Sequence, residues 1–421
     1  MGGKIRNRWA VVCGCFIAMM ANNGVISNFT FGVFLKPITE EFHWGRADLT
    51  SAMFLAGVVA AFVTPVVGKL MDIYGVQRVA LPGIVLYALT VGCFSLLEPS
   101  FVMLYVLAAT AAVMGHVQTP MGYSKVISSR FEDYRGLALG IAISGVGLGT
   151  AVIPQIAQYL ISIFGWRLAY VGVGCTVFLL AFPMIALFLA EPGKTRAERH
   201  AARGVTDLTP GPSASSVIKG DRRFWMLLVM FFISAIAING TITHIVASMT
   251  DRGFSPAVAT SVLSSAGIAL IVGRLISGYC LDRIFGPYVA VVFFLMAASG
   301  IAIIASGSGG LTTAFVGTVL CGMGLGAEGD LLGYFVGRYF GLKSFGTLYG
   351  FMIGVFSLGN GVGPWLMGLS FDKTHSYTTA STGFVGLLVL CCVIVLCLGA
   401  YSFPPKRAVL GARVAADAAS A

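Results

Sequence analysis

The sequence GKLMDIYG, residues 68–75, has a second copy in GYCLDRIFG, residues 278–286, and this pair decides the fold. The copies align Gly68 with Gly278 and Asp72 with Asp282, at an offset of 210 residues. The same offset aligns GIAISGVGLGTAVIP with GFMIGVFSLGNGVGP further along the chain. Two elements repeated in one register predict a chain built from two related halves.

The composition is that of a membrane protein. Of the 421 residues, 57% are hydrophobic and only 10% are charged, and the mean hydropathy is +0.89. A bilayer core about 30 Å thick needs about 20 apolar residues in a helix. Twelve apolar runs with few or no charges approach that length, at residues 9–35, 49–68, 79–97, 101–124, 136–163, 166–190, 224–250, 256–280, 287–306, 310–337, 345–370 and 381–403. The first run has no small-residue cleavage site, so we interpret it as a retained helix rather than a signal peptide.

The distribution of Lys and Arg between these spans predicts the orientation. If the N-terminus is cytoplasmic, 21 of the 27 basic residues lie on the cytoplasmic side and 5 outside, with Arg274 within a span. Because cytoplasmic loops carry the excess of positive charge, we expect both termini to be cytoplasmic. The net charge of +10 then needs no nucleic-acid partner.

The one long polar stretch divides the chain. It predicts an N-terminal six-helix bundle over residues 1–190, a cytoplasmic linker over 191–223, a C-terminal six-helix bundle over 224–403 and a cytoplasmic tail over 404–421. The nine cysteines lie mainly in apolar spans without paired CxxC spacing. We interpret them as core residues, and the sequence indicates neither a metal site nor a cofactor.

The repeated loop resembles a known signature. GKLMDIYGVQR is similar to the loop between helices 2 and 3 of the major facilitator superfamily, and GYCLDRIFG to its degenerate copy between helices 8 and 9. A gating loop is one interpretation: Gly68 permits close helix packing, while Asp72 and Arg78 pair with opposite charges that break during transport. Asp282 and Arg283 are the corresponding charges of the second copy. The alternative is a solvated cluster of loop charges.

Further segments resemble one branch of that superfamily, the monocarboxylate transporters, and are also similar to bacterial oxalate/formate exchangers. They are RFEDYRGLALGIAISGVG, FGWRLAY at Phe164–Tyr170, Arg274 on helix 8, and GPWLMGLSFD at Gly363–Asp372. The resemblance implies an all-α membrane fold of twelve transmembrane helices in two six-helix pseudo-repeats. It also implies transport by alternating access, with Arg274 binding the carboxylate of the substrate.

Elementary chemistry points to the same role for Arg274. The residue is predicted about 9 Å to the cytoplasmic side of the middle of helix 8. A charge at that depth costs at least a few kcal/mol, so it usually faces a cavity and has a partner. A guanidinium matches a carboxylate in a bidentate way. The alternative is that Arg274 extends toward the interface or pairs permanently with a protein acid.

Helix 10 carries two acids near the depth of Arg274. Glu328 and Asp330 are two residues apart, so they point to different faces and are expected to do different work. One could pair with Arg274 in the empty site, and the other could bond a neighbouring helix or carry a coupling proton. His116, near the middle of helix 4, is either an interhelical hydrogen-bonding residue or a proton carrier.

The chain departs from the resembling families at three positions. Animal proton-coupled carriers place a lysine on helix 1 and an aspartate one turn before the arginine, where this chain has Phe29 and Leu270. Oxalate exchangers use a second cation on helix 11, where Phe356 stands. One intramembrane cation favours a monoanion over a dicarboxylate. Phe29, Phe335 and Phe356 are candidate substrate contacts because helices 1, 10 and 11 are expected to border the cavity.

Polar residues in the N-terminal half complete the predicted path. Asn22 and Asn23 are adjacent amides on helix 1, so at least one is expected to face the cavity. Tyr123 follows on helix 4 and is a further candidate contact.

We therefore expect a secondary transporter of a small organic carboxylate in the plasma (inner) membrane, with a proton or a counter-anion as coupling partner. The chain has no GxxxxGK[ST] phosphate loop, which argues against ATP-driven transport, and no visible nucleophile and base set, which argues against an enzyme. An efflux carrier for drugs or metabolites and a carrier-derived membrane sensor are the alternatives.

Overall fold

The computed structural model describes residues 8–128, 130–131, 134–189, 212–307, 310–341 and 343–403, and in these it has helices and no strands. The side chains of Asp72, Met121 and Arg135 are not described. Most of the predicted linker, up to residue 211, and the predicted tail over 404–421 lie outside the described residues. The predicted domain boundaries therefore stay a prediction.

Eleven helical segments of the described chain are long and apolar enough to cross a membrane. One of them, Arg135–Phe188, is two helices joined at Gly165, whose φ of 77° breaks the helical path. The twelve-helix prediction is thus confirmed. In chain order the helices are α1 (Arg8–Phe42), α2 (Arg46–Tyr74), α3 (Val76–Cys93), α4 (Phe101–Ser128), α5 (135–164), α6 (166–188), α7 (Arg222–Asp251), α8 (Pro256–Leu281), α9 (Gly286–Ser306), α10 (Gly310–Phe340), α11 (Phe345–Thr374) and α12 (Thr378–Leu396).

Large apolar side chains cover much of the outer surface of the helices. Phe62 and Val102 are 74% and 73% exposed, and Leu96 and Leu179 are also exposed. In water such a surface would drive association, whereas a hydrocarbon environment accepts it. The fold is therefore that of an integral membrane protein with multiple spans.

The buried apolar residues form two clusters, one for each half of the sequence. The first lies almost wholly within residues 11–189, and the second almost wholly within 217–398. Successive helices run in opposite directions, so an even number of spans brings Arg8 and Phe403 to the same face of the bundle. We call this the terminal face and the other the opposite face.

The two halves meet mainly where α2 packs on α11 and α5 packs on α8. This contact is tight near the opposite face: a Cβ atom on Gly361 would lie 2.4 Å from the carbonyl oxygen of Met53, and one on Gly368 would lie 2.7 Å from the amide nitrogen of Ala47. Toward the terminal face, a Cβ on Gly350 or Gly346 would meet nothing within 4 Å. The backbones of α2 and α11 are therefore in close contact near the opposite face, and this close contact is not found at Gly346 and Gly350 near the terminal face.

Candidate functional site

Arg274 lies on the part of α8 that faces α10. The two backbones approach closely there, because a Cβ on Gly326 would lie 2.2 Å from the carbonyl oxygen of Leu270 and 2.9 Å from the amide nitrogen of Arg274. Small residues at helix crossings allow such an approach. The crossing brings Arg274 against the acidic segment of α10 and leaves 16% of its side chain exposed.

The partner of Arg274 is Asp330. Its Oδ1 lies 3.4 Å from Nε of Arg274, which is an ion pair without a hydrogen bond at Nε. The Nη1 group donates a hydrogen bond to the carbonyl oxygen of Ile143 on α5 at 3.5 Å. This distance is long for a hydrogen bond. Asp330 also accepts a weak hydrogen bond from Ser277 at 3.5 Å, and 32% of its side chain is exposed. The guanidinium is thus neutralised by Asp330 but poorly bonded.

Glu328 points away from this pair, as the two-residue spacing predicted. It is fully buried and accepts a hydrogen bond from Ser234 on α7 through Oε1. Its Oε2 atom has no hydrogen-bond partner among the described residues. Within the described chain, no group of three His, Cys, Asp or Glu residues could hold a metal ion.

The N-terminal half carries a second polar cluster, where α1 and α4 are both interrupted. The regular α-helix of α1 stops at Met20 and resumes as a π-helix from Val25, and α4 changes at His116 into a short 3₁₀ turn that ends at Gln118. Such breaks expose backbone groups that side chains must satisfy.

The asparagines at the break in α1 satisfy these groups. Asn22 donates to the backbone carbonyl of Gln118, and its own Oδ1 accepts from the backbone nitrogen of Gly24 at 2.8 Å. Asn23 is partly exposed, and its Oδ1 accepts hydrogen bonds from the hydroxyl groups of Ser27 and Tyr87, both at 2.9 Å. Of the two predicted amides, Asn22 therefore connects the interrupted helices, and Asn23 bonds to its own helix and to Tyr87 of α3.

The remaining predicted site residues of both halves are buried or partly buried. Tyr123 donates to the side-chain oxygen of Gln118, whose amide nitrogen has no partner in the described structure. His116 is 6% exposed, and its Nδ1 lies 2.7 Å from the carbonyl oxygen of Ala112. Phe29 is packed in the core of the C-terminal half, and Phe356 is partly buried beside that core. Their roles in binding stay predictions.

The predicted gating loops lie at the terminal face. Gly68 is buried in α2, whereas Arg78, Asp282 and Arg283 are exposed. Arg283 folds back over the ring of Tyr279, at 3.6 Å, and donates to the carbonyl oxygen of the same residue. The side chain of Asp72 lies outside the described residues, so the loop charges stay candidates.

A charged cluster at the opposite face joins the two halves, and the sequence did not predict it. Arg46, at the start of α2, binds Asp251, at the end of α7, through two hydrogen bonds of 2.6 and 2.9 Å. The carboxylate of Asp372 on α11 accepts hydrogen bonds from the backbone N–H groups of Arg46 and Ala47, at 2.9 and 2.8 Å. The first free N–H groups of α2 are thus capped by a carboxylate of the other half.

Beneath this cluster, His244 of α7 is fully buried. Its Nε2 lies 2.9 Å from the carbonyl oxygen of Pro364, and its Nδ1 lies 3.4 Å from the hydroxyl of Tyr377. Both ring nitrogens therefore have neighbours within the C-terminal half. The cluster closes the opposite face by ionic and hydrogen bonds as well as by packing.

Known proteins share both this sequence pattern and this architecture. The sequence profile of the Major Facilitator Superfamily matches residues 11–364 and 247–417. Monocarboxylate transporter 13 of Bos taurus is 26% identical over 299 residues, which cover 70% of this chain and 66% of that protein. Monocarboxylate transporter 13 of Rattus norvegicus is 25% identical over 377 residues, or 88% of this chain and 84% of that protein.

Among solved structures, a bacterial homologue of the human lysosomal transporter Spinster, in an inward-facing and unoccupied conformation, superposes with a TM-score of 0.67. It is 17% identical, and the superposition covers 94% of this chain and 98% of that structure. This likeness supports the fold, and the profile match establishes the family. The chain belongs to the Major Facilitator Superfamily and is a membrane transporter rather than an enzyme.

Proposed function

We propose that this protein is a secondary transporter of a small organic monocarboxylate and that Arg274 binds the carboxylate of the substrate. The observation that carries the proposal is the incomplete bonding of a partly exposed, intramembrane guanidinium. Arg274 has an ion pair with Asp330 at 3.4 Å and no hydrogen bond at Nε. A carboxylate ligand would supply the two parallel bonds that the guanidinium lacks.

Asp330 acts in this proposal as a replaceable partner. It keeps the arginine neutralised in the empty transporter, since an unpaired charge at this depth costs at least a few kcal/mol. Its carboxylate is 32% exposed, so water can solvate it when the substrate takes its place. Within the described middle of the bundle, Arg274 is the one cation that pairs with an acid. A single cationic site favours a monoanion over a dicarboxylate.

The arrangement of the halves supports alternating access around this site. Arg46, Asp251 and Asp372 join the halves at the opposite face, whereas a Cβ on Gly346 or Gly350, on the terminal side of α11, would meet no atom within 4 Å. The excess of Lys and Arg on the terminal face favours a cytoplasmic location for it. We therefore assign the structure to a state open to the cytoplasm, in a transporter of the plasma (inner) membrane.

Coupling to a proton is the second part of the proposal, and Glu328 is the residue best suited to it. The side chain is fully buried without a basic partner in the described structure, and Oε2 has no hydrogen bond. No ion pair with a described residue therefore holds this carboxyl group in its charged form. Asp330 and His116 are less suited, because Asp330 is paired with Arg274 and His116 bonds within its own helix.

Uptake into proteoliposomes tests the carboxylate site. Radiolabelled lactate, pyruvate and benzoate would be compared with the lipophilic cation tetraphenylphosphonium, for the wild type, Arg274→Ala and Arg252→Ala. Arg252 is the matched control, because it also lies in the C-terminal half but donates to the carbonyl oxygen of Ile304 at the opposite face.

Hydrogen bonds to charged groups contribute about 1.5–3 kcal/mol, so Arg274→Ala should lower kcat/KM for the transported acid by about 10- to 150-fold. Arg252→Ala should retain transport. Normal transport of an acid by Arg274→Ala would refute the role of the arginine, and transport of the cation alone would favour an efflux carrier.

A further inference from the structure

The ion pair between Arg46 and Asp251 has the geometry of a carboxylate-binding site. The Nη1 and Nη2 atoms of Arg46 each bond one oxygen of Asp251, at 2.6 and 2.9 Å. This parallel, two-bond arrangement is the one in which a guanidinium group binds a carboxylate or a phosphate, and here the acceptor is a carboxylate. It contrasts with the single 3.4 Å contact between Arg274 and Asp330.

The surroundings of Arg46 complete the site. Nη1 also donates a hydrogen bond to the hydroxyl oxygen of Tyr377. The guanidinium stacks on the ring of Phe371, with its central carbon 3.7 Å from the centre of the ring. Lys36 lies 3.4 Å from the same Asp251 carboxylate, and its other acidic neighbour, Glu40, is 3.8 Å away. Two cations therefore converge on one carboxylate at the seam between the halves.

These residues are divided between the two halves, and this division determines which contacts break when the seam opens. Arg46 and Lys36 belong to the N-terminal half, whereas Asp251, Tyr377 and Phe371 belong to the C-terminal half. A rocking motion that opens the opposite face removes the carboxylate from both cations at once. Arg46 is only 9% exposed in the closed state and would then line the new opening.

We propose that Arg46, assisted by Lys36, is a second carboxylate-binding site of the transport path, at the opposite-face mouth. In the closed state Asp251 occupies it, and in the open state the carboxylate of the arriving substrate does. This inference rests on the proposed function and on the orientation given above, in which the opposite face is extracellular. The substrate must leave Arg46 before Asp251 can return, which ties closure to inward movement of the anion.

Sided kinetics in proteoliposomes test this site with the variant Arg46→Gln. The acid from the panel above that the wild type transports would be presented from either face, and KM would be measured for each direction. Loss of the guanidinium should raise KM at the opposite face about tenfold or more, while KM at the terminal face stays within about twofold. Arg46→Lys keeps the charge without the two-bond geometry and should give an intermediate KM.

A purely structural gate predicts the reverse for Arg46→Gln. Losing the tie to Asp251 would favour the state open at the opposite face, so KM there would fall or stay unchanged, and this result would overturn the inference. Arg167→Gln is the matched control, because Arg167 pairs with Glu41 of its own half at the same face. Its KM should not change on either side.

The two proposals fail in distinguishable ways. If the wild type transports an acid and Arg274→Ala does not, the proposed function stands whatever Arg46→Gln does. If Arg46→Gln does not fold, the Arg46→Lys kinetics decide, since an unchanged or lower KM at the opposite face overturns the inference. Absence of any carboxylate transport by the wild type would overturn both.

Discussion

Gly361→Ala should open the opposite face of this transporter. The added Cβ would lie 2.4 Å from the carbonyl oxygen of Met53 and 2.8 Å from the Cα of Phe54, both in the backbone of α2. No side-chain rotation relieves a contact with backbone, so α2 and α11 must separate. Insertion of a methyl group into a packed interface costs about 1–3 kcal/mol.

This cost applies only to the state in which the opposite face is closed. The equilibrium between the two states should therefore shift by about 5- to 150-fold toward the state that is open at this face. Gly350→Ala is the matched control on the same helix, because its Cβ would meet no atom within 4 Å in this structure. It should not disfavour the state described here.

Distances between spin labels measure the shift, in a background without the exposed native cysteines. A pair at Val102 and Lys373 reports the opposite face, and a pair at Tyr74 and Ile284 reports the terminal face; all four residues are exposed. In Gly361→Ala the first distance should lengthen and the second should shorten. Unchanged distances in a folded Gly361→Ala protein would refute the assignment of this contact as the closed seam.

Two further substitutions test other polar contacts. Asp372→Asn removes the negative charge that caps α2, so it should destabilise the closed opposite face by about 0.5–2 kcal/mol. The distance between labels at Val102 and Lys373 should then lengthen, and an unchanged distance would contradict a role for the cap in closure of this face. Glu328→Gln keeps an oxygen that can accept from Ser234 but cannot release a proton, so it should abolish accumulation driven by a proton gradient and retain exchange of labelled for unlabelled acid. Persistent gradient-driven accumulation would exclude Glu328 as the proton carrier.

The twelve-helix fold was predictable because its main determinants are local. Span length and hydropathy reflect the thickness of the bilayer, and the repeat at an offset of 210 residues indicated two halves. The break between α5 and α6 at Gly165 lies between the predicted apolar runs 136–163 and 166–190. The breaks inside α1 and α4 were missed, although two adjacent asparagines before Gly24 and Pro120 after Thr119 are weak local signals for them.

The site was predictable only in part, because its contacts depend on how helices rotate and pack. The sequence placed Glu328 and Asp330 on different faces, but the choice of Asp330 as the partner of Arg274 depends on the crossing of α8 and α10. Arg46 and Asp251 are 205 residues apart in the chain, and nothing in either segment specifies the other. Such pairs follow from tertiary structure alone.

The two arginine–carboxylate pairs differ in a way that yields a last prediction. Arg46 and Asp251 lie in different halves, so rocking itself separates them, whereas Arg274 and Asp330 both lie in the C-terminal half and move together. Only a ligand can therefore displace Asp330. Asp330→Asn removes this competing charge and should lower KM for the transported acid from both faces.

The magnitude of this effect is limited by the weakness of the contact that is lost. The contact is an ion pair of 3.4 Å without a hydrogen bond at Nε, so the expected change is small, and a difference of about 1 kcal/mol corresponds to about a fivefold fall in KM. Glu98→Gln is the matched control, since Glu98 is an exposed acid in the loop between α3 and α4. A rise in KM for Asp330→Asn from both faces would mean that Asp330 orients Arg274 for the substrate rather than competing with the substrate. The proposal that the substrate carboxylate replaces Asp330 at Arg274 would then be wrong.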